Sequence, residues 1–360
     1  MTNTPFLDIT RHLELMVAKN ASDMFFTVGS PVRVKIEGQL MTAGKTILTT
    51  ETMDDAAKRI MNEEQRQELE RYLQADFAIS LPDNAQARFR INAFKQRQNI
   101  AMVVRYIRPN IPFIVDLGLP EILKDKILSK SGLILVAGTT GSGKSTTIAA
   151  MLDFRNEVNA GHILTVEDPV EFIYTHKKSV VNQRELGIDT HSYADALKGA
   201  MREAPDVVLV GEARDRDTMQ AVLELSSTGQ LAISTVHARN TYQAIQRVIT
   251  MFPPARHEEL FIDLSMNLVC VVSQRLIKSR TGKRVPAIEI MVNTPFVSDL
   301  ILNGKLTEIK EAMKNSNAKG MQTFEDSLLD LYQKGQIDLT EALENADSRI
   351  DLETRINFGE

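Results

Sequence analysis

Cysteine is nearly absent from this chain, with one residue, Cys270, in 360. A single thiol closes no internal disulfide and builds no zinc site of several cysteines. It lies in the apolar run Leu268-Val269-Cys270-Val271-Val272 and reads as a small buried hydrophobe, which suits a reducing compartment. Long hydrophobic runs are missing too. None approaches the ~20 residues that cross a bilayer, so no membrane span is expected and membrane association has to pass through a partner. The opening Met1-Thr2-Asn3-Thr4-Pro5 has no basic stretch leading into an apolar one, so no signal peptide is expected. Excess positive charge is also lacking. With a net charge of −5 and no stripe of interleaved basic and aromatic residues, nucleic acid is not an expected partner. Internal repeats and low-complexity segments are absent as well.

What is present is an ordinary globular composition, 43% hydrophobic and 25% charged, at a length that suits two domains. The clearest break is Pro109-Asn110-Ile111-Pro112 followed by Leu117-Gly118-Leu119-Pro120, because proline donates to no ladder and biases its predecessor away from helix. Before it, residues 8–18 have helical spacing, Val32–Ile36 alternates like a half-buried strand, and Glu37-Gly38-Gln39 suits a hairpin turn. Residues 51–74 read as a charged amphipathic helix. Residues 87–94 and 100–107 read as strands, with Arg88, Arg90 and Asn92 on one face and Phe89, Ile91 and Ala93 on the other.

After the break, strands at 132–137, 162–167, 206–211 and 231–236 alternate with helices, which implies a largely parallel sheet. A helix at 193–204 shows a capping pair, Ser192 with Asp195, and a stop at Pro205. From about 295 the chain reads as helical and ends in a charged stretch, 347–360, expected to be loosely held.

Gly138-Thr139-Thr140-Gly141-Ser142-Gly143-Lys144-Ser145 fits G-x-x-x-x-G-K-[ST], between the apolar run Leu133–Ala137 and a helix opening at Thr146. Gly-rich turns also join strands to helices without a ligand, but strand–loop–helix is the context this phosphate-binding loop requires. Backbone N–H groups and the positive end of the new helix face the phosphates. Lys144 reaches the β- and γ-phosphates, and Ser145 helps hold Mg²⁺. The implied ligand is a nucleoside triphosphate.

Such a loop needs further groups for metal, water and transition-state charge. Glu167-Asp168-Pro169-Val170-Glu171 ends one strand in three carboxylates, at the sheet edge where open parallel sheets bind ligands. Crowded carboxylates suit a general base or a metal ligand, and a solvated polar loop is the alternative. Asp206–Val210 delivers Gly211-Glu212 to the same edge. Gly211 stands where a metal-binding aspartate is common, so a role for Glu212 through bound water fits better than direct coordination. Leu231–Val236 ends at His237, for which sensing, coordination and a plain structural role all stay open.

The loop at 138–145, the carboxylate segment 167–171, Val207–Glu212 and Thr235-Val236-His237 occur in the order of the P-loop, Asp box, Walker B and His box of secretion-superfamily ATPases. These are the hexameric motors of type II secretion and type IV pili, and the resemblance covers nearly the whole chain. Ala21-Ser22-Asp23-Met24, residues 87–94, Val181-Asn182-Gln183-Arg184-Glu185 and Gly320-Met321-Gln322-Thr323-Phe324 resemble its pilus retraction branch, the PilT/PilU family.

The resemblance implies an α/β protein with an N-terminal α+β, PAS-like domain over 1–108 and a linker at 109–116. A RecA-like P-loop ATPase domain with C-terminal helices follows over 117–346, then the tail 347–360. It implies ATP with Mg²⁺, bound by Gly138, Thr139, Thr140, Gly141, Ser142, Gly143, Lys144, Ser145 and Thr146. Ser145 would hold the metal, with Glu167, Asp168 or Glu212 acting through water. Glu171 matches the family's catalytic glutamate and Glu212 its Walker B glutamate. Arg90 and Arg105 match N-domain arginines that reach the γ-phosphate, and His237 completes the set. The implied partners are a homo-hexamer, a PilT-like ATPase and a PilC-like platform protein at the cytoplasmic face of the inner membrane.

Three points separate the chain from other branches. Extension ATPases typically carry a four-cysteine zinc element, which one cysteine cannot form. Gln230 stands where the family often has a histidine. Phe296-Val297-Ser298-Asp299-Leu300-Ile301-Leu302 lacks the two arginines of the corresponding PilT helix, a departure that resembles accessory, PilU-type retraction ATPases acting with PilT.

Overall fold

Alternation and its absence divide this chain into two kinds of sheet. The computed structural model describes residues 7–36, 38–81, 84–107, 110–316 and 318–358, the side chains of 84–86 aside. It separates into two compact units, Met1–Asn110 with Glu171–Ile173, and Ile111–Val170 with Tyr174–Glu360. Pro109, where the linker was expected to begin, lies outside the described residues.

The first unit runs α1 (Ile9–Ala18), β1 (Asp23–Phe26), β2 (Pro31–Ile36), β3 (Gln39–Ile47), α2 (Thr50–Ile60), α3 (Glu63–Tyr72), β4 (Gln74–Leu81), β5 (Asn84–Gln96) and β6 (Asn99–Ile107). Its six strands pair antiparallel in the order β3-β2-β1-β6-β5-β4. Every second side chain of β5, namely Phe89, Ile91 and Ala93, is fully buried, as the alternation implies. They join Phe26, Val34, Phe77 and Met102 in a core closed by Leu13 and Met16 of α1, Met53 of α2 and Leu69 of α3. The hairpin pairs Ile36 with Gln39, while Glu37 of the expected turn lies outside the described residues. The single helix expected over 51–74 is two. Asn62 breaks it: its side chain accepts from Gln65 N at 2.9 Å, and the Gln65 side chain accepts from Asn62 N at 2.9 Å. That reciprocal cap starts a new helix, which the unbroken charge pattern conceals.

The second unit runs α4 (Ile122–Ile127), β7 (Gly132–Ala137), α5 (Lys144–Val158), β8 (Gly161–Glu167), β9 (Ser179–Glu185), α6 (Tyr193–Ala200), β10 (Val207–Val210), α7 (Arg216–Ser227), β11 (Leu231–Val236) and α8 (Thr241–Thr250). It continues through α9 (His257–Asn267), β12 (Leu268–Lys278), β13 (Arg284–Val292), α10 (Pro295–Leu302), α11 (Ile309–Lys314), α12 (Phe324–Gln333), α13 (Leu339–Glu344) and α14 (Arg349–Phe358). The sheet order is β13-β12-β7-β11-β10-β8-β9, parallel except for the β12–β13 pair. All residues of β7, β10 and β11 are buried, so these strands show no alternation; both faces carry packed chain. Leu133, Leu135 and Ala137 join one large core with residues of α6 to α11. Truncating a side chain such as Leu135 to alanine costs about 2–5 kcal/mol in sites of this kind.

Two expectations are revised here. Helix α6 ends at Ala200, ahead of Pro205, and Ala204 takes φ 48°, outside the helical region that a following proline disfavours. The stretch 347–360 was expected to be loose. Its described part is α14, whose Leu352 is fully buried with Phe324, Leu328 and Ile337 in a satellite core on β12 and β13. Two of its charges are paired: Arg355 with Asp326 at 2.7 Å and Asp351 with Lys314 at 3.1 Å.

Candidate nucleotide site

Strand β7 is buried along its whole length and ends at Ala137, and from Gly138 the chain turns through a loop into α5. Glycine is required at both ends of that loop. A Cβ on Gly138 would stand 2.3 Å from Ser142 Oγ and 2.7 Å from the carbonyl of Gln274. On Gly143, at φ +88°, it would stand 2.7 Å from Gln274 Nε2. Helix α5 starts at Lys144 with no side-chain cap. Its first N–H groups and its dipole are thereby left for an anion. Lys144 Nζ folds back onto the loop, donating to the carbonyls of Gly138 at 2.9 Å and Thr139 at 3.0 Å. Ser142 Oγ is buried and has no hydrogen-bond partner among the described residues. An orphaned hydroxyl beside a glycine cradle fits a phosphate-bearing ligand. Ser145 and Thr146 follow in the first turn of α5.

Two cavities flank the loop. One, of about 910 Å³, runs along Gly138–Ser142 to Arg239, Arg275 and Asp347. The other, of about 580 Å³, lies beyond Gly143 and Thr147, between Leu117, Leu276 and Lys334. Gln274 borders both.

Next to β7 in the sheet come β11, β10 and β8, and their C-terminal ends bring His237, Glu212 and Glu167 to the same edge. Glu212 is held at both oxygens. Oε2 accepts from Arg214 Nε at 2.9 Å, and Oε1 lies 3.0 Å from His237 Nε2. This pairing raises the pKa of Arg214, with the Glu212 hydrogen bond as the leading cause. Thr235 Oγ1 donates to the carbonyl of Gly211 at 2.7 Å and ties β11 to the turn that carries Glu212.

The glycine at 211 stands at a close crossing. A Cβ there would meet Glu167 Cα, Tyr193 Oη and Val166 O, each at 3.3 Å. These contacts are tight, and a side chain there would need its neighbours to give by a few tenths of an ångström; the acid of this strand falls one residue later. Burial and Asp168 push the Tyr193 hydroxyl up to about 12, which keeps it a neutral wall of the site. Glu167 is buried, and its Oε1 accepts from Thr165 Oγ1 at 2.7 Å and Gln183 Nε2 at 3.5 Å.

Asp168 and Glu171 are exposed, and Glu171 takes part in no hydrogen bond or ion pair among the described residues. Arg90 and Arg105 belong to the first unit, directly opposite one another on β5 and β6. Arg105 Nε lies 2.9 Å from Asp23, and Arg90 Nε lies 3.6 Å from Asp76. Sequence reasoning missed Arg214, Gln274 and Arg275. Arg214 follows Glu212 by two residues, a spacing that could have shown it. The other two lie on β12, a strand the sequence reading did not assign. Among the described residues, no group of three or more His, Cys, Asp or Glu side chains is arranged to hold a metal ion.

The model of the type II/IV secretion system protein family matches residues 6–349. The chain is similar, at 44% identity over 98% of its length and 92% of the relative's, to the type IV pilus ATPase PilU of Pseudomonas aeruginosa. It is 39% identical to the type IV pilus retraction ATPase PilT of the same organism, over 94% of this chain and 98% of that protein. In structure it resembles the crystal structure of the pilus retraction motor PilT with bound ADP. That match has a TM-score of 0.90 at 39% identity and covers 96% of this chain and 99% of the other.

Proposed function

The chain belongs to the type II/IV secretion system protein family and is an ATPase, and from that premise we propose that it is a motor subunit for type IV pilus retraction. The observation that carries the reading is the convergence of the loop at 138–145 with Glu212, held between Arg214 and His237, on adjacent strand ends. In this reading the loop and Lys144 bind the phosphates of ATP, and the cavity beyond Gly143 and Thr147 receives the base and ribose. Ser145 and phosphate oxygens hold Mg²⁺, with Glu212 and Glu167 acting through its water ligands. Mg²⁺ retains several waters in such sites and needs no all-protein cage. Glu171 orients the attacking water, and Arg90 and Arg105 neutralise charge at the γ-phosphate. Subunits assemble as a homo-hexamer acting on a platform protein at the cytoplasmic face of the membrane.

The accessory form of this role, working beside a PilT-like ATPase, is supported by α10. That helix carries no arginine and exposes Phe296 and Leu302, at 61% and 47%. The test is twitching and retraction force in cells expressing this ATPase alone or with a PilT-like partner. The accessory reading expects retraction only with the partner, together with ATP turnover by the purified protein. Full retraction force from this ATPase alone counts against the accessory role, and absence of turnover counts against the motor.

A further inference from the structure

Consecutive residues of β12 send their side chains to opposite faces of the sheet, and here only the first of the pair packs against the nucleotide loop. Gln274 Oε1 accepts from Thr147 Oγ1 of α5 at 2.6 Å, a buried bond, while its carbonyl and Nε2 close in on Gly138 and Gly143. Arg275 goes elsewhere. Its Nη1 donates to the carbonyl of Asn345 at 2.6 Å, and its Nη2 donates to the carbonyl of Arg239 at 3.0 Å and to Asp347 Oδ1. Its guanidinium stacks over Phe324, 3.9 Å from the ring centre. A planar fork of five donors can satisfy carbonyls, carboxylate and ring together, and a lysine cannot.

The hydrogen-bond partners of Arg275 belong to two segments. Arg239 lies in the turn after β11, two residues past His237. Asn345 and Asp347 lie between α13 and α14. Asp347 is shared: its Oδ2 accepts from Asn240 Nδ2 at 3.0 Å, and Asn240 also caps α8. The next residue, Thr241, donates its N–H and hydroxyl to the buried Glu289 at 2.7 and 2.8 Å. The turn that presents His237 to Glu212 is therefore clamped at 239, 240 and 241, and two of the three clamps depend on residues 275 and 347. Among the described residues, neither makes a hydrogen bond to the nucleotide loop. We propose that Arg275 is a positioning residue for ATP hydrolysis, fixing the His237 turn and itself held there by the C-terminal segment through Asp347. A turn released from such a clamp lets His237 drift from Glu212, and a misplacement of about 1 Å can cost about 10²-fold in rate.

The test uses the full chain with Arg275→Lys and Asp347→Asn, in the parent and in a His237→Ala background. It is read by single-turnover ATP hydrolysis and by the affinity for a fluorescent ADP analogue. Arg275→Lys is expected to slow hydrolysis about tenfold or more in the parent, to leave ADP affinity within about twofold, and to add little once His237 is gone. Asp347→Asn, a near-isosteric change, is expected to follow it in the same direction. It keeps the test open where the arginine variant does not fold. Backbone hydrogen exchange at 237–241, which needs no turnover, is expected to rise in both variants. Full-rate hydrolysis by both variants, equal slowing with and without His237, or unchanged exchange at that turn would overturn the proposal. A parent protein with no turnover counts against the motor reading, while the exchange result still decides the clamp.

Discussion

The two sheets put charge in different places. In the first unit an antiparallel sheet buries one face, and Arg90 and Arg105 stand opposite each other on the other. In the second unit the central strands are buried on both faces, so polar chemistry is confined to their ends. A sheet with a solvent-facing side can carry function along its strands and can lose it without losing its core. A sheet wrapped on both sides offers function only at its edge, where each side chain is fixed by its neighbours.

Substitutions separate these two designs. The largest effect is expected at the strand-end site: Lys144→Ala should abolish ATP hydrolysis, a loss of about 10²–10³-fold or more, comparable to losing a main donor to transition-state charge. Turnover near the parent rate would break the comparison at its stronger side. If Arg90 and Arg105 serve as proposed at the γ-phosphate, Arg90→Ala and Arg105→Ala should each lower hydrolysis by about tenfold or more. Like charges directly opposite on neighbouring strands are destabilising, and here Asp76 and Asp23 only partly offset them. Either change should therefore leave the melting temperature unchanged or slightly raised while activity falls. A marked drop in melting temperature with full activity would reassign the pair to a structural role. The smallest effect is expected from Asn62→Ala, which removes the cap of α3. It should lower stability by about 1 kcal/mol in chemical denaturation and leave hydrolysis per folded molecule unchanged.

The sequence reveals each region through a different signal, and fails for a different reason. The strand–loop–helix at 132–152 is legible because an apolar run, fixed glycines and a helix start coincide. The faces of β5 are legible because one side is buried. Strand β12 is not, since it follows α9 with no intervening turn residues and its apolar run resembles a buried helix segment. Missing β12 meant missing Gln274 and Arg275. The charged end of the chain reads as solvated, yet Asp347, Asp351 and Arg355 pair with Arg275, Lys314 and Asp326. Partners so far away in sequence leave no local trace. The glycine at 211 is visible as a departure, but the close crossing with Tyr193 and β8 at which it stands exists only in three dimensions.

Glu212, gripped by Arg214 and His237, is expected to serve hydrolysis and not binding. The most direct test of this role is ATP turnover and nucleotide affinity measured on the same preparation of Glu212→Gln. Affinity is expected to stay within a few-fold of the parent and turnover to fall by about 10²-fold or more. Turnover retained at the parent rate, or affinity lost together with turnover, would contradict that role.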